Sequence, residues 1–308
     1  MWNNSFMKRY SILIALGFFG FVASAQQDPQ FSQNLFNNIA INPGYAGSND
    51  AISATALHRS QWMGFLGAPS TTNLGIEAAM PMLHGGLGLN VMTDNIAQNE
   101  FLGLNLSYAY RTELAGGDLG VGLSVGMLQD GVNGGDYISE VGTDPNIPNT
   151  DEKAAGFDFG AGFFYNSDKI YLGLSSTHIN QPTIESSTEL MSMSRHYYLS
   201  AGFNHELNPQ IILMPSVFVK SDGVSSTMDI SSLIEYNKRF WGGITLRPSE
   251  SVIALLGMHL NESLRFGVAY DVPISEVSHA GSMEFMVGYS FKVDYTKVVK
   301  GFKNPRLL

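Results

Sequence analysis

GSMEFMVGYSF, residues 281–291, alternates between two kinds of side chain. Met283, Phe285, Val287, Tyr289 and Phe291 are large and apolar, while Ser282, Glu284, Gly288 and Ser290 between them are small or polar. A β-strand points successive side chains to opposite faces, so this spacing predicts one greasy face and one that tolerates a carboxylate. Two environments have that asymmetry. One is a half-buried strand of a soluble sandwich; the other is a strand of a transmembrane barrel, with lipid on one side and a polar lumen on the other.

Other stretches repeat the pattern and separate the two. In DLGVGLSVGM (118–127), Leu119, Val121, Leu123, Val125 and Met127 alternate with Gly120, Gly122, Ser124 and Gly126. Residues 101–110 set Leu102, Leu104, Leu106, Tyr108 and Tyr110 against Gly103, Asn105, Ser107 and Ala109, and residues 264–272 set Leu264, Phe266, Val268, Tyr270 and Val272 against Arg265, Gly267, Ala269 and Asp271. A sandwich would place many Lys, Glu and Thr on its exposed set, whereas these polar faces are rich in Gly and Ser with a few charges of both signs. Composition agrees with the barrel: charged residues are only 14% of the chain, against about 25% in ordinary soluble domains, and there are 33 Gly, 13 Tyr and 19 Phe.

Compartment is read from the N-terminus. Lys8 and Arg9 precede an apolar run from Ile12 to Val22, followed by Ala23-Ser24-Ala25 before Gln26, which is the three-part pattern of a cleaved export signal. The run is shorter than the ~20 residues of a spanning helix. The chain has no Cys, so neither a lipoprotein anchor nor a disulfide framework is expected. Further candidate strands fall at 51–59, 71–80, 86–94, 155–165, 170–178, 195–206, 211–220, 227–236, 240–247 and 252–260, giving about fourteen in all. Short turns at 81–85, 115–117, 166–169, 207–210, 237–239 and 261–263 alternate with connections that include the long 129–153 and 179–194. Short turns of bacterial barrels face the periplasm and long loops face outside.

The expected fold is therefore all-β: a single transmembrane antiparallel β-barrel of about 14 strands with both termini periplasmic. Its parts are a signal peptide (1–25), a periplasmic N-terminal segment (26–50), the barrel (51–293) and a basic periplasmic tail (294–308). The closing strand is expected to pair with the first, because an open edge in lipid leaves backbone groups unpaired. Arg265 and Asp271 share one strand face, and Glu284 and Lys292 another, and all four are expected to face the lumen, since Arg or Lys facing lipid at midplane costs ~2–4 kcal/mol. A wet lumen is expected, so that a change at Glu284 costs far less than a charge at Phe285.

Enzyme motifs are missing. The seven His have no G-x-S-x-G or H-E-x-x-H context, and there is no glycine-rich phosphate loop or metal-ligand cluster in the sequence, so no catalytic, metal or cofactor site is expected. Asp130, Asp136, Glu140, Asp144, Asp151 and Glu152 lack the calcium-loop spacing and read as a solvated acidic loop. A net charge of −10 argues against nucleic acid.

The segment QQDPQFSQNLFNNIAINPGYAGSND (26–50) resembles the opening of the PorP/SprF family of type IX secretion proteins, in which a DPxFSQ-type segment leads into an INPxYAG motif. The likeness continues through HRSQWMGFLGAPST, HGGLGLNVMTD, RHYYLSAGF, WGGITLRPSES, GSMEFMVGYSF and the terminal KNPRLL, in family order. Gly44 stands where the family pattern has Ala, and Leu307-Leu308 replace a bulkier ending. The resemblance implies an outer-membrane barrel that supports secretion or surface anchoring of a cargo protein such as a large, gliding-related adhesin. Its implied partners are cargo bearing a type IX C-terminal signal, periplasmic secretion-machine lipoprotein or peptidoglycan-linked subunits, and outer-membrane lipid. Candidate partner contacts are Asn42, Pro43, Gly44, Tyr45 and Gly47, a rigid turn before the first strand; Arg59, Gln61 and Trp62 at the first outward loop; and Lys303 and Arg306 in the tail, which suits an acidic subunit or anionic headgroups equally. The alternative reading is a general, porin-like solute channel.

Overall fold

A computed structural model describes residues 28–134, 150–185, 190–274 and 280–291. The expected signal peptide, Lys292 and the tail with Lys303 and Arg306 lie outside the described residues, as does the centre of the acidic loop. The strands are β1 (Ile52–Ser60), β2 (Ser70–Met80), β3 (Gly85–Ile96), β4 (Asn99–Leu114), β5 (Gly117–Val132), β6 (Glu152–Asn166), β7 (Ile170–Thr177), β8 (Thr183–Glu185), β9 (Leu190–Ser192), β10 (His196–Phe203), β11 (His205–Asn208), β12 (Ile211–Ser221), β13 (Ser226–Tyr236), β14 (Phe240–Arg247), β15 (Ser251–His259), β16 (Leu264–Pro273) and β17 (Ser282–Phe291). No helix among the described residues is long and apolar enough to cross a membrane.

Successive walls pair antiparallel, with β7 pairing to β10 across the intervening β8 and β9, and β1 pairs with β17 from Ile52↔Phe291 to Ser60↔Met283, so the sheet closes. The sheet counts 15 strands, but β10 and β11 are two stretches of one wall, interrupted at Asn204 and both paired with β12. That leaves fourteen walls. β8 and β9 form a separate hairpin in the connection before β10. Closure matters energetically, because in hydrocarbon every N–H and C=O must be satisfied within the protein.

The alternation sorts as the sequence predicts. Leu106 is 53% exposed and Phe285 48%, on a face with no protein to cover it, while Glu284 is 0%. The turns at Pro81–Leu83 and at 115–116, 167–169, 209–210, 237–239 and 260–263 gather at one end, where β1 begins and β17 ends. The connections 61–69, 97–98, 222–225 and 248–250 lie at the other end, where β5 leads to β6, β7 to β10 and β16 to β17.

The segment expected outside the barrel as a periplasmic extension lies inside it. Residues 28–50 run down the lumen as three single turns of 3-10 helix, Asn34–Phe36, Asn38–Ala40 and Pro43–Tyr45. Asp28 bonds to residues at the long-loop end of β7 and β10, and Gly47 bonds to Glu77 near the short-turn end of β2. The chain thus traverses the barrel from the long-loop mouth to the short-turn mouth before turning back into β1. Polar segments so dry persist only with their backbone groups paired, and the inner wall supplies the partners.

Candidate functional site: a plugged lumen

The head of the plug is Asp28. Its Oδ1 lies 2.9 Å from Nε2 of His178, whose Nδ1 lies 2.9 Å from Oδ1 of Asp158. Tyr198 donates its hydroxyl to Oδ2 of Asp28 at 2.6 Å, and Lys220 donates to the Asp28 backbone carbonyl. His196 is 0% exposed; its Nδ1 pairs with the Ser194 carbonyl at 2.9 Å and its Nε2 accepts from the Asp28 N–H at 3.4 Å. Burial pulls the His178 imidazole down, but the Asp28 charge and the hydrogen bonds to Asp158 and Asp28 outweigh it and lift its pKa to about 10. With a proton on both nitrogens, His178 bridges the two carboxylates.

Next comes a buried charge network. Arg59 pairs with Asp271 at 2.7 Å and with Glu284 at 3.4 Å, and its Nη1 donates to Ser32 Oγ at 2.7 Å. Glu284 accepts the backbone N–H groups of Ser32 and Gln33 at 2.7 and 2.9 Å, and Ser32 Oγ donates to Asp271 at 2.7 Å. Arg247 grips Asp229 through two bonds of 2.7 and 2.9 Å and reaches Asp271 at 3.7 Å. Asn34 donates to Asp229 at 3.1 Å. Fork-shaped guanidinium contacts of this kind fix geometry as well as charge. The wall carboxylates therefore hold plug backbone, which in a water-filled pore they could not do selectively.

Below the charges sits an apolar patch inside the lumen. Leu57, Leu233, Trp241, Ile253, Leu255, Ala269 and Met286 cluster with Phe31 of the plug, and Leu35 and Phe36 pack against them. The Phe36 and Trp241 ring centroids are 4.5 Å apart, and the Arg265 guanidinium lies over the Phe36 ring, 5.3 Å from its centroid. These inward apolar residues are the part of the site that the polar-lumen expectation missed. β15 carries the readable signal: Ile253 and Leu255 alternate with Ala254 and Leu256, so both faces are apolar, as in a strand covered on both sides.

The tail of the plug is held by close backbone approach. Asn42 accepts from the Gly44 N–H at 2.9 Å and donates to the Phe163 carbonyl at 2.9 Å. A Cβ at Gly44 would lie 2.8 Å from the Gly162 carbonyl oxygen and 3.0 Å from that of Gly120, so the alanine of the family pattern has no room here. Gly47 takes φ +73° against Gly86, where glycine alone is unstrained. The glycines on the inner faces of β3, β5 and β6 are the channel in which this backbone lies.

The plug thus gathers many of the residues singled out in the sequence. Asn42, Pro43 and Gly44 are buried against the wall and Gly47 with them, while Tyr45 is half-buried with its ring 4.8 Å from Phe164. Arg59 was expected at the outward loop; it is an inner-wall residue, 3% exposed, because it sits on the same strand face as Leu57. Gln61 and Trp62 do lie in the loop after β1, with Trp62 45% exposed. Arg265, Asp271 and Glu284 all point inward. The expected wet lumen is dry at Glu284, and two voids beside the plug among the described residues hold about 50 and 20 Å³, room for a few waters.

A family model described as type IX secretion system membrane protein PorP/SprF matches residues 23–289. Among curated proteins no match is found. Solved structures similar to the chain include the Pseudomonas putida toluene transporter TodX (10% identity, 86% of this chain and 94% of that one, TM-score 0.47), the translocator domain of autotransporter NalP from Neisseria meningitidis (12%, 79% and 88%, TM-score 0.42) and the KdgM porin (12%, 78% and 99%, TM-score 0.38).

Proposed function

Since the chain belongs to the PorP/SprF family of type IX secretion system membrane proteins, and is an outer-membrane β-barrel of that system, we propose that it serves as a docking and anchoring barrel for export and not as a route for solutes. The observation that carries this reading is the filled lumen. A solute channel needs a continuous wet path, whereas here the N-terminal segment spans the barrel from mouth to mouth, bonded to the wall at both ends.

With the lumen occupied, partners meet the rims. The short-turn mouth faces the periplasm in this reading, where secretion-machine lipoprotein or peptidoglycan-linked subunits dock, with Lys303 and Arg306 of the tail as basic contacts. The long-loop mouth faces outward and meets the cargo, a surface protein with a type IX C-terminal signal such as a gliding-related adhesin. Trp62, with Phe65 (51% exposed) and Leu66 of the same loop, is the apolar group presented there. Asn42, Pro43, Gly44, Gly47 and Arg59 act from within, by seating the plug.

The test joins two measurements. Deleting the gene is expected to abolish surface display of one large cargo, or of all type IX cargo, while purified barrel gives no steady conductance in planar bilayers. Steady conductance together with undisturbed surface display would establish the channel instead.

A further inference from the structure

The head of the plug carries a set of donors that the secretion role does not use. Asp28, His178 and His196 each offer one ligand atom, and these atoms lie within 4.8 Å of one another. His178 is 4% exposed and His196 0%. Each imidazole has one nitrogen engaged by an oxygen acceptor: His178 Nδ1 by Asp158 at 2.9 Å and His196 Nδ1 by the Ser194 carbonyl at 2.9 Å. Metal-bound histidines are oriented in this way, because an acceptor on the far nitrogen fixes the tautomer and makes the near one a better donor. The His178 Nε2 meets the Asp28 carboxylate, whereas the His196 Nε2 has only the stretched 3.4 Å bond from the Asp28 backbone N–H and its Nδ1 lies 3.9 Å from Asp28 Oδ2; the two rings stand 5.7 Å apart at 82°.

With Nδ1 donating to Asp158, a neutral His178 would set a bare Nε2 against a carboxylate oxygen at 2.9 Å. Something positive must lie between them. A proton supplies that with one bond to each; a metal ion supplies it and recruits His196 as well. We propose that Asp28, His178 and His196 form a site for a divalent transition-metal ion of the zinc class, which clamps the head of the plug to the walls formed by β7 and β10. Two imidazoles and one carboxylate suit zinc, whereas calcium and magnesium prefer all-oxygen sets. Tyr198, 2.6 Å from Oδ2, steadies the Asp28 carboxylate, and Lys220 takes the Asp28 backbone carbonyl and leaves the carboxylate to the ion. Binding is a simple exchange: the cation enters and the His178 Nε2 proton leaves to solvent.

The experiment uses untagged, chelator-stripped protein in detergent, titrated with Zn²⁺ by calorimetry and with Co²⁺ by absorption. One equivalent is expected, with a visible band of nitrogen- and oxygen-ligated Co²⁺ and no competition from Mg²⁺ or Ca²⁺. His196→Gln and His178→Gln are each expected to weaken Zn²⁺ at least about 100-fold, and Asp158→Asn, which leaves every ligand in place, about 10–100-fold. Heat-modifiable migration on gels verifies folding; should His178→Gln misfold, His196→Gln and Asp158→Asn carry the test. Absence of Zn²⁺ uptake by the unmodified protein would show a proton bridge only. Undiminished uptake by the His196→Gln variant would place the ion elsewhere. Either result overturns the site.

Discussion

The plug is held by opposite means at its two ends. Its head, residues 28–34, is bound by charged side chains of β1, β12, β13, β16 and β17, namely Arg59, Lys220, Asp229, Asp271 and Glu284. Its tail, residues 42–47, is bound by near-contact of bare backbone with glycines of β3, β5 and β6. Charges taken out of water hold only while every partner is present, so the head is a cooperative lock that a single deletion opens. Close packing fails differently: it tolerates loss of any one polar bond and fails by steric addition. The charged lock binds next to the long-loop mouth, and the glycine channel binds where the chain turns into β1.

The largest expected effect comes from attacking the lock. Glu284→Ala leaves two buried N–H groups of the plug without acceptors and Arg59 with Asp271 as its remaining carboxylate partner, and is expected to cost ~3–5 kcal/mol. Glu284→Gln, which keeps an acceptor oxygen, is expected to cost about 1–3 kcal/mol. Because the chain has no native Cys, a cysteine replacing Ala40 reports plug release by labelling, and it should react in Glu284→Ala and stay protected in the parent. Protection in both would mean that the tail alone seats the plug.

Phe285→Arg is the matched probe one residue away, on the lipid face. It is expected to cost ~2–4 kcal/mol if it lies near midplane, seen as a lowered temperature for heat-modifiable migration, with the Ala40 reporter still protected. Loss of barrel and loss of plug are thereby separated. Were the reporter exposed as well, wall and plug would form one cooperative unit.

Against the tail, Gly122→Val is expected to cost about 1–3 kcal/mol, because even a Cβ there meets the backbone of Pro43 and Gly44. The cost should vanish in a chain lacking residues 28–47, in which the glycine has nothing to meet. A cost that persists without the plug would assign Gly122 to the sheet itself.

These contrasts mark how far the sequence could be read. The barrel was legible because lipid imposes period two on every wall, and GSMEFMVGYSF shows that period over its outer face without a break. Strand number and the closing β1–β17 pair followed from the same rule. The plug was not legible, for a physical reason: Gly120, Gly122 and Gly126 suit an empty lumen and a backbone-filled one equally, since glycine records only that no side chain fits. Arg59 and Glu284 likewise fit a wet pore as well as a dry ion pair. The distinguishing residues were Leu57, Leu233, Ile253, Leu255 and Met286, apolar on a face that a water-filled lumen would keep polar. An apolar inner face requires a cover, and the segment just before β1, rich in Asn, Gln and Phe, was the nearest chain able to supply both amide hydrogen bonds and rings.

The smallest expected effect tests whether the tail needs any polar bond at all. Asn42 does two things: its Oδ1 caps the 3-10 turn Pro43–Tyr45 by accepting from Gly44 N–H, and its Nδ2 donates to the Phe163 carbonyl on the wall. Asn42→Ala removes both and is expected to cost about 1 kcal/mol, with the Ala40 reporter only slightly more reactive, since the glycine channel remains intact. Asn42→Asp keeps the cap, for Asp and Asn serve equally well at that position, but turns a second carboxylate oxygen toward the Phe163 carbonyl where a donor had been. Two acceptors facing each other in a buried site repel, so Asp is expected to be worse than Ala even though it is the better capping residue. An Asp variant as stable as the parent would show that the cap alone matters and that the tail is seated without any polar bond to the wall. An Asp variant worse than Ala would show that the wall reads the amide specifically, and that even the sterically held end of the plug has one contact sensitive to charge.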